Sequence, residues 1–150
     1  MDPELKSALL GRIDRIPIVA TLGLEIVHFG DGTCTARAPR SLKYDGVFES
    51  FHGGLLMTIA DSTACFAILT RTGPDTRLTT TDMHIRFLAA CLTDVTAQAQ
   101  VIKFGRTLCP VAVDLFDANG QPVAVAQVTY MLLNHSVRLQ NKNAGCDRPC

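Results

Sequence analysis

The chain has 150 residues, 47% of them hydrophobic and 19% charged, and Lys+Arg and Asp+Glu both number 14, so its formal charge is zero. That length and balance exclude a disordered chain and favour one domain with its own core. The neutral charge gives no electrostatic reason for nucleic acid or an anionic membrane as partner.

Residues 3–15, PELKSALLGRIDR, place Leu5, Leu9, Leu10 and Ile13 at helical spacing, with Pro3 suited to a first turn. This predicts a short amphipathic N-terminal helix. Acids and bases are mixed through the same stretch, unlike a signal peptide, so the expected location is cytoplasmic. LGLEIVHFGDGTCTARA reads as two strands joined at Gly30-Asp31-Gly32. Residues 39–52 lack a clean period and contain Pro39 and Gly46, which predicts a loop.

Residues 53–69, GGLLMTIADSTACFAIL, read as a helix that is apolar around most of its circumference and therefore buried. The run is shorter than a typical membrane span and contains Asp61. RTGPD breaks it. TTTDMHIRFLA then alternates, with Thr79, Thr81, Met83, Ile85 and Phe87 on one face and Thr80, Asp82, His84 and Arg86 on the other. DVTAQAQVIKF is another strand, closed by a Gly-Arg turn. TLCPVAVDLFD and QPVAVAQVTYMLL form a hairpin across Ala118-Asn119-Gly120.

The order of elements predicts an α+β domain over residues 1–135, in which an antiparallel sheet of five to six strands wraps one long helix. Residues 136–150 read as a disordered polar tail. Cys34, Cys65, Cys91 and Cys109 sit apart in apolar surroundings and read as reduced, buried thiols. Cys146 and Cys150 form no CxxC pair, and no metal site is expected.

Within the long helix Thr58, Asp61, Ser62 and Cys65 share one face by their spacings of three and four. A carboxylate there must find donors or lose its charge. It is either a structural residue held by Ser62 or a neighbouring hydroxyl, or a functional one. At the helix start, Gly53 and Gly54 leave the unpaired N–H groups open to a substrate oxygen, the profile of an oxyanion hole. His52 before them either orients the loop or donates to substrate. Gly53 and Asp61 are separated by eight residues, roughly 12 Å along a helix at about 1.5 Å per residue. One chain therefore cannot bring both to one reacting carbonyl, whereas two antiparallel helices can, which predicts a homodimer with shared sites.

His52-Gly53-Gly54 followed by Asp61-Ser62, then Thr80-Thr81-Asp82-Met83-His84-Ile85 with Phe87-Leu88, then Lys103-Phe104-Gly105-Arg106-Thr107-Leu108, resembles the hot-dog fold. The resemblance is to the small acyl-CoA thioesterases of the phenylacetate-pathway (PaaI-like) type, and it runs from about residue 15 to 133. It implies metal-free hydrolysis of an acyl-CoA, with no cofactor beyond the coenzyme A of the substrate. The Gly53 amide would polarise the thioester carbonyl, and Asp61 of the partner chain would serve as base or nucleophile, with Thr80 positioning water. Gly54, Ser62, Thr81, Phe87, Leu88 and Ala89 would line the substrate path, and Lys103, Phe104, Gly105, Arg106 and Thr107 would lie near the coenzyme. The implied assembly is a homodimer, extendable to a dimer of dimers.

Relatives usually read Asn-x-x-Gly-x-x-His-Gly-Gly before the helix, and this chain has Gly46 and Glu49 at the first two of those positions. Phe48, Phe51, Met57 and Phe66 either line an acyl pocket or belong to the core. Two other functions fit the same scaffold: an acyl-CoA-binding protein without catalysis, and a hydratase or dehydratase relying on a His paired with an acid.

Overall fold

The computed structural model describes residues 1–133. The proposed tail 136–150, the domain end at 135, His135, Cys146 and Cys150 lie outside the described residues.

Helix α1 (Pro3–Ile13) starts with Asp2 accepting the Glu4 N–H at 3.0 Å, and it buries Leu9 and Ile13. A second short helix, α2 (Pro17–Leu22), is absent from the sequence reading. Its signals were Pro17 in the first turn and Gly23, which closes it in the left-handed region at φ 61°. Strands β1 (Glu25–Gly30) and β2 (Thr33–Ala38) form the expected hairpin. The loop at 39–52 contains a 3-10 turn at Leu42–Tyr44 and one bridge between Asp45 and Phe51. Then come α3 (Gly53–Thr72), β3 (Leu78–Phe87), β4 (Val95–Val101), β5 (Leu108–Asp117) and β6 (Pro122–Leu132).

The six strands form one antiparallel sheet in the order β1-β2-β4-β5-β6-β3. It wraps α3, which packs chiefly on β2, β4 and β5. Ile59, Ala60, Ala64, Ala67 and Ile68 of α3 face Ala36, Val95, Ala97, Val111, Val113 and Leu115, all of them buried. Small side chains on both layers let the sheet close tightly around the helix. At 20 residues, α3 is long and apolar enough by composition to cross a membrane, contrary to the shorter span read from sequence. Its burial under the sheet identifies it as the core helix. This is the hot-dog arrangement implied by the motifs.

The strand β3 departs from its expected alternation. Its pairing with β6 shifts register between Thr80 and Asp82, so that Thr81 is an extra residue with no ladder partner. The period-2 pattern therefore reverses across the bulge. Leu78 lies on the same side as Met83 and Ile85, all three packed on the core. Thr80 faces α3 with them, whereas the simple alternation had put it on the opposite face.

Candidate active site

Between Ile59 and Thr70 every residue of α3 is buried except Asp61, Ser62 and Cys65. The polar stripe predicted from spacing is thus the strip left incompletely covered by the sheet, and Thr58 continues it. Three donor–acceptor contacts fix Asp61 in place. Thr80 Oγ1 donates to Asp61 Oδ1 at 2.9 Å. The Tyr130 hydroxyl lies 2.7 Å from the same Oδ1 and 2.8 Å from the Asp61 backbone oxygen. Among the described residues Asp61 Oδ2 has no hydrogen-bond partner. One carboxylate oxygen is therefore clamped and the other is left bare.

Tyr130 was missed in the sequence, where TYMLL reads as an ordinary strand end. It is 4% exposed, and burial raises its ionisation well above the usual tyrosine range, with the neighbouring Cys65 adding to the shift. The phenol therefore stays protonated and can only donate to a carboxylate. Ser62, the other suggested partner for Asp61, is half-buried beside it on the helix.

At the other end of α3, His52 is the N-cap and its Nδ1 accepts the Gly54 N–H at 3.0 Å. A Cβ on Gly54 would lie 3.1 Å from that nitrogen, so glycine makes room for the imidazole. The Gly54 amide is therefore engaged. The Gly53 N–H, by contrast, finds no acceptor among the described residues. Phe87 covers it from the side: a Cβ on Gly53 would come within 3.0 Å of Phe87 Cζ. Gly53, Phe87, Leu88 and Ala89 line one groove of about 390 Å³ with Phe51 and Leu56, which joins Gly53 to three of the predicted path residues.

The loop before α3 is held by Arg40. Its guanidinium pairs with Asp45 at 2.6 Å, both side chains being largely buried, and it also donates to the backbone oxygens of Glu49 and Leu92. Asp45 thus does not point a free acid at the site. Glu49 has φ 56°, in the left-handed region, at the position where the resembling family carries Gly. Gly46 faces His52, and a side chain there would meet the imidazole Cδ2 at 3.6 Å.

The remaining predicted residues separate into two groups. Phe51 and Phe66 are core, 3% exposed each, whereas Phe48 is 88% exposed and Met57 half-buried. Thr81 turns away from α3 and bonds Asp82 and the Thr129 backbone. Lys103, Phe104, Gly105, Arg106 and Thr107 form the β4–β5 turn, with the Phe104 ring 4.7 Å under the Arg71 guanidinium. Arg106 shares a groove with Thr72, Asp75 and Arg77 at the C-terminal end of α3. A helix of 20 residues is about 30 Å long, so within one chain Arg106 and Gly53 stand at opposite ends of it. Gly53 and Asp61 also remain about 12 Å apart along α3. Among the described residues no group of three or more His, Cys, Asp or Glu side chains could hold a metal.

Against known proteins, the sequence profile of the thioesterase superfamily matches residues 48–124, from the loop held by Arg40 into β6. A conserved protein of Pseudomonas aeruginosa is similar in structure, with TM-score 0.77 and 25% identity, over 82% of this chain and 98% of its own. A thioesterase family protein of Silicibacter pomeroyi gives 0.80 at 23% identity, over 86% and 98%. The E. coli PaaI protein of the phenylacetic acid degradation operon gives 0.80 at 17% identity, over 87% and 94%. No curated protein matches the chain.

Proposed function

The chain belongs to the thioesterase superfamily, and from that premise we propose that it hydrolyses an acyl-CoA thioester to the free acid and coenzyme A. The working unit is a homodimer whose two sites each join Asp61 of one chain to Gly53 of the other. The observation that carries the proposal is the state of the carboxylate. Oδ1 is held by Tyr130 and Thr80, and Oδ2 is free to react.

The thioester carbonyl oxygen accepts the Gly53 N–H, the helix N-terminus adding its positive end, so that charge developing on that oxygen is stabilised. Asp61 Oδ2 takes a proton from water as the oxygen attacks the carbonyl carbon, then returns it to the departing thiolate. Alternatively Oδ2 attacks directly, releasing the thiolate and leaving a mixed anhydride that water cleaves. Either route uses Oδ2 and leaves the Oδ1 clamp intact. When Asp61 of one α3 lies beside Gly53 of an antiparallel partner, the first helix runs on roughly 16 Å beyond that glycine. The groove near Arg106 of one chain therefore lies beyond the Phe87 groove of the other.

The test is thiol release from a panel of acyl-CoAs by wild type and Asp61→Asn. Asparagine keeps an oxygen for Tyr130 and Thr80, so the fold survives. Turnover is expected to fall by roughly a hundredfold or more, in the range of lost acid–base catalysis. An Asp61→Asn protein with wild-type turnover rejects the mechanism. Tight binding of acyl-CoA by wild type with no thiol release identifies a binding protein instead.

A further inference from the structure

A cavity of about 310 Å³ opens between α1, the start of α2, α3 and β3. Its walls include Ile13, Ile16, Phe66, Leu69 and Leu78, and Cys65 lines it one helical turn beyond Asp61. Arg12, Thr76, Arg77 and Leu133 complete the lining. Cys65 also lies within reach of the Tyr130 hydroxyl, and burial next to Asp61 pushes its thiol up to about 11. At neutral pH it is therefore an uncharged, weakly polar wall. The cavity and the clamped carboxylate meet at this one side chain.

We propose that this cavity receives the acyl group of the substrate, and that the chain therefore prefers an acyl group of short to medium length. The assignment rests on the thioesterase reading above. The buried part of the lining, Ile13, Phe66 and Leu69, offers no partners for the amides of pantetheine or for phosphates, and burying those groups unpaired is costly. Arg12 and Arg77, by contrast, are exposed to solvent. An acyl chain carries no such groups beyond its carbonyl. The volume is near the lower end of small-molecule sites, which span roughly 300–1,000 Å³, so a long fatty chain would protrude. Ile16, the residue capping α2, is half-buried and sets one boundary of the space.

The experiment measures kcat/KM for straight-chain acyl-CoAs of increasing length, together with calorimetric binding of the matching S-alkyl thioether analogues, which cannot be hydrolysed. In wild type, affinity is expected to rise by up to about fourfold for each methylene buried. It should flatten once the cavity is full. Ile16→Phe moves that break to shorter chains and Ile16→Ala to longer ones. A break that stays in place in both variants, or a uniform change across all lengths, overturns the pocket. Thioether binding that shows the shifts without any hydrolysis overturns only the catalytic reading. Hydrolysis with no length dependence overturns only the pocket.

Discussion

The Tyr130 hydroxyl and the Asp61 carboxylate stand 2.7 Å apart where β6 passes the one incompletely covered strip of α3. Because the phenol cannot readily ionise, this contact keeps a donor on Oδ1 and leaves Oδ2 without a partner among the described residues. Tyr130→Phe keeps the ring and removes only the donor. A hydrogen bond to a charged group contributes about 1.5–3 kcal/mol, so kcat should fall by roughly ten- to a hundredfold while KM changes little. A Tyr130→Phe enzyme with unchanged kcat contradicts the positioning role.

The shared-site arrangement predicts complementation. Gly53→Ala brings a methyl against Phe87 Cζ and crowds the free N–H, without a strained φ. Turnover is expected to drop about a hundredfold, comparable to losing one oxyanion donor. Mixing it with Asp61→Asn under subunit exchange should restore activity. Half of the dimers become mixed, each with one of two sites intact, so about a quarter of wild-type activity returns. No recovery after demonstrated exchange places both groups in the same chain's site.

Alkaline stability follows from two thiols, the buried Cys34 and the half-buried Cys65. Burial pushes Cys34 up to about 12, with Cys65 as the lesser cause, and Cys65 itself up to about 11, from an ordinary 9.0. Above pH 9 the unfolded chain gives up these protons and the folded chain retains them. Stability is therefore full below about pH 9 and declines as pH rises toward 11 and 12. Each thiol contributes a slope of at most about 1.4 kcal/mol per pH unit. Thermal unfolding between pH 8 and 11 checks this, and Cys34→Ala should flatten the decline. A Tm that is level or rising over that window contradicts it.

The loop before α3 makes two opposite predictions. Arg40→Ala strands Asp45 and frees the Glu49 and Leu92 carbonyls, which should cost about 3 kcal/mol, as for other broken buried pairs. Glu49→Gly relieves a left-handed non-glycine residue and should stabilise by about 1 kcal/mol. Urea unfolding separates the two, and a Glu49→Gly protein less stable than wild type would show that the side chain compensates for its backbone.

Much of this was legible in the sequence. The stripe Thr58, Asp61, Ser62 and Cys65 followed from spacing alone, since a helix with one polar strip must leave that strip uncovered. The helix α2 was not seen because six residues between two short motifs give no period to count. Tyr130 went unrecognised although a signal existed. It follows Val128 on the core-facing side of β6, and a buried tyrosine needs an acceptor for its hydroxyl. The apolar helix opposite offers one carboxylate. The resemblance gave Thr80 the task of positioning water and not of holding Asp61, and strict alternation assigned it to the wrong face, because bulges have no reliable composition signal.

That single unpaired residue, Thr81, acts as a phase shift in an otherwise two-beat strand. Ahead of it the even-numbered side chains look inward, and after it the odd-numbered ones do. The hydroxyl that holds Asp61 shares its face with Met83 and Ile85 only because the extra residue between them stays out of the ladder. Deleting Thr81 would restore strict alternation with Leu78, Thr80, Met83 and Ile85 all still facing inward, so the grip on Asp61 would survive. Were Thr81 instead drawn into the ladder as a paired residue, either Thr80 or the pair Met83 and Ile85 would turn outward, with the composition untouched.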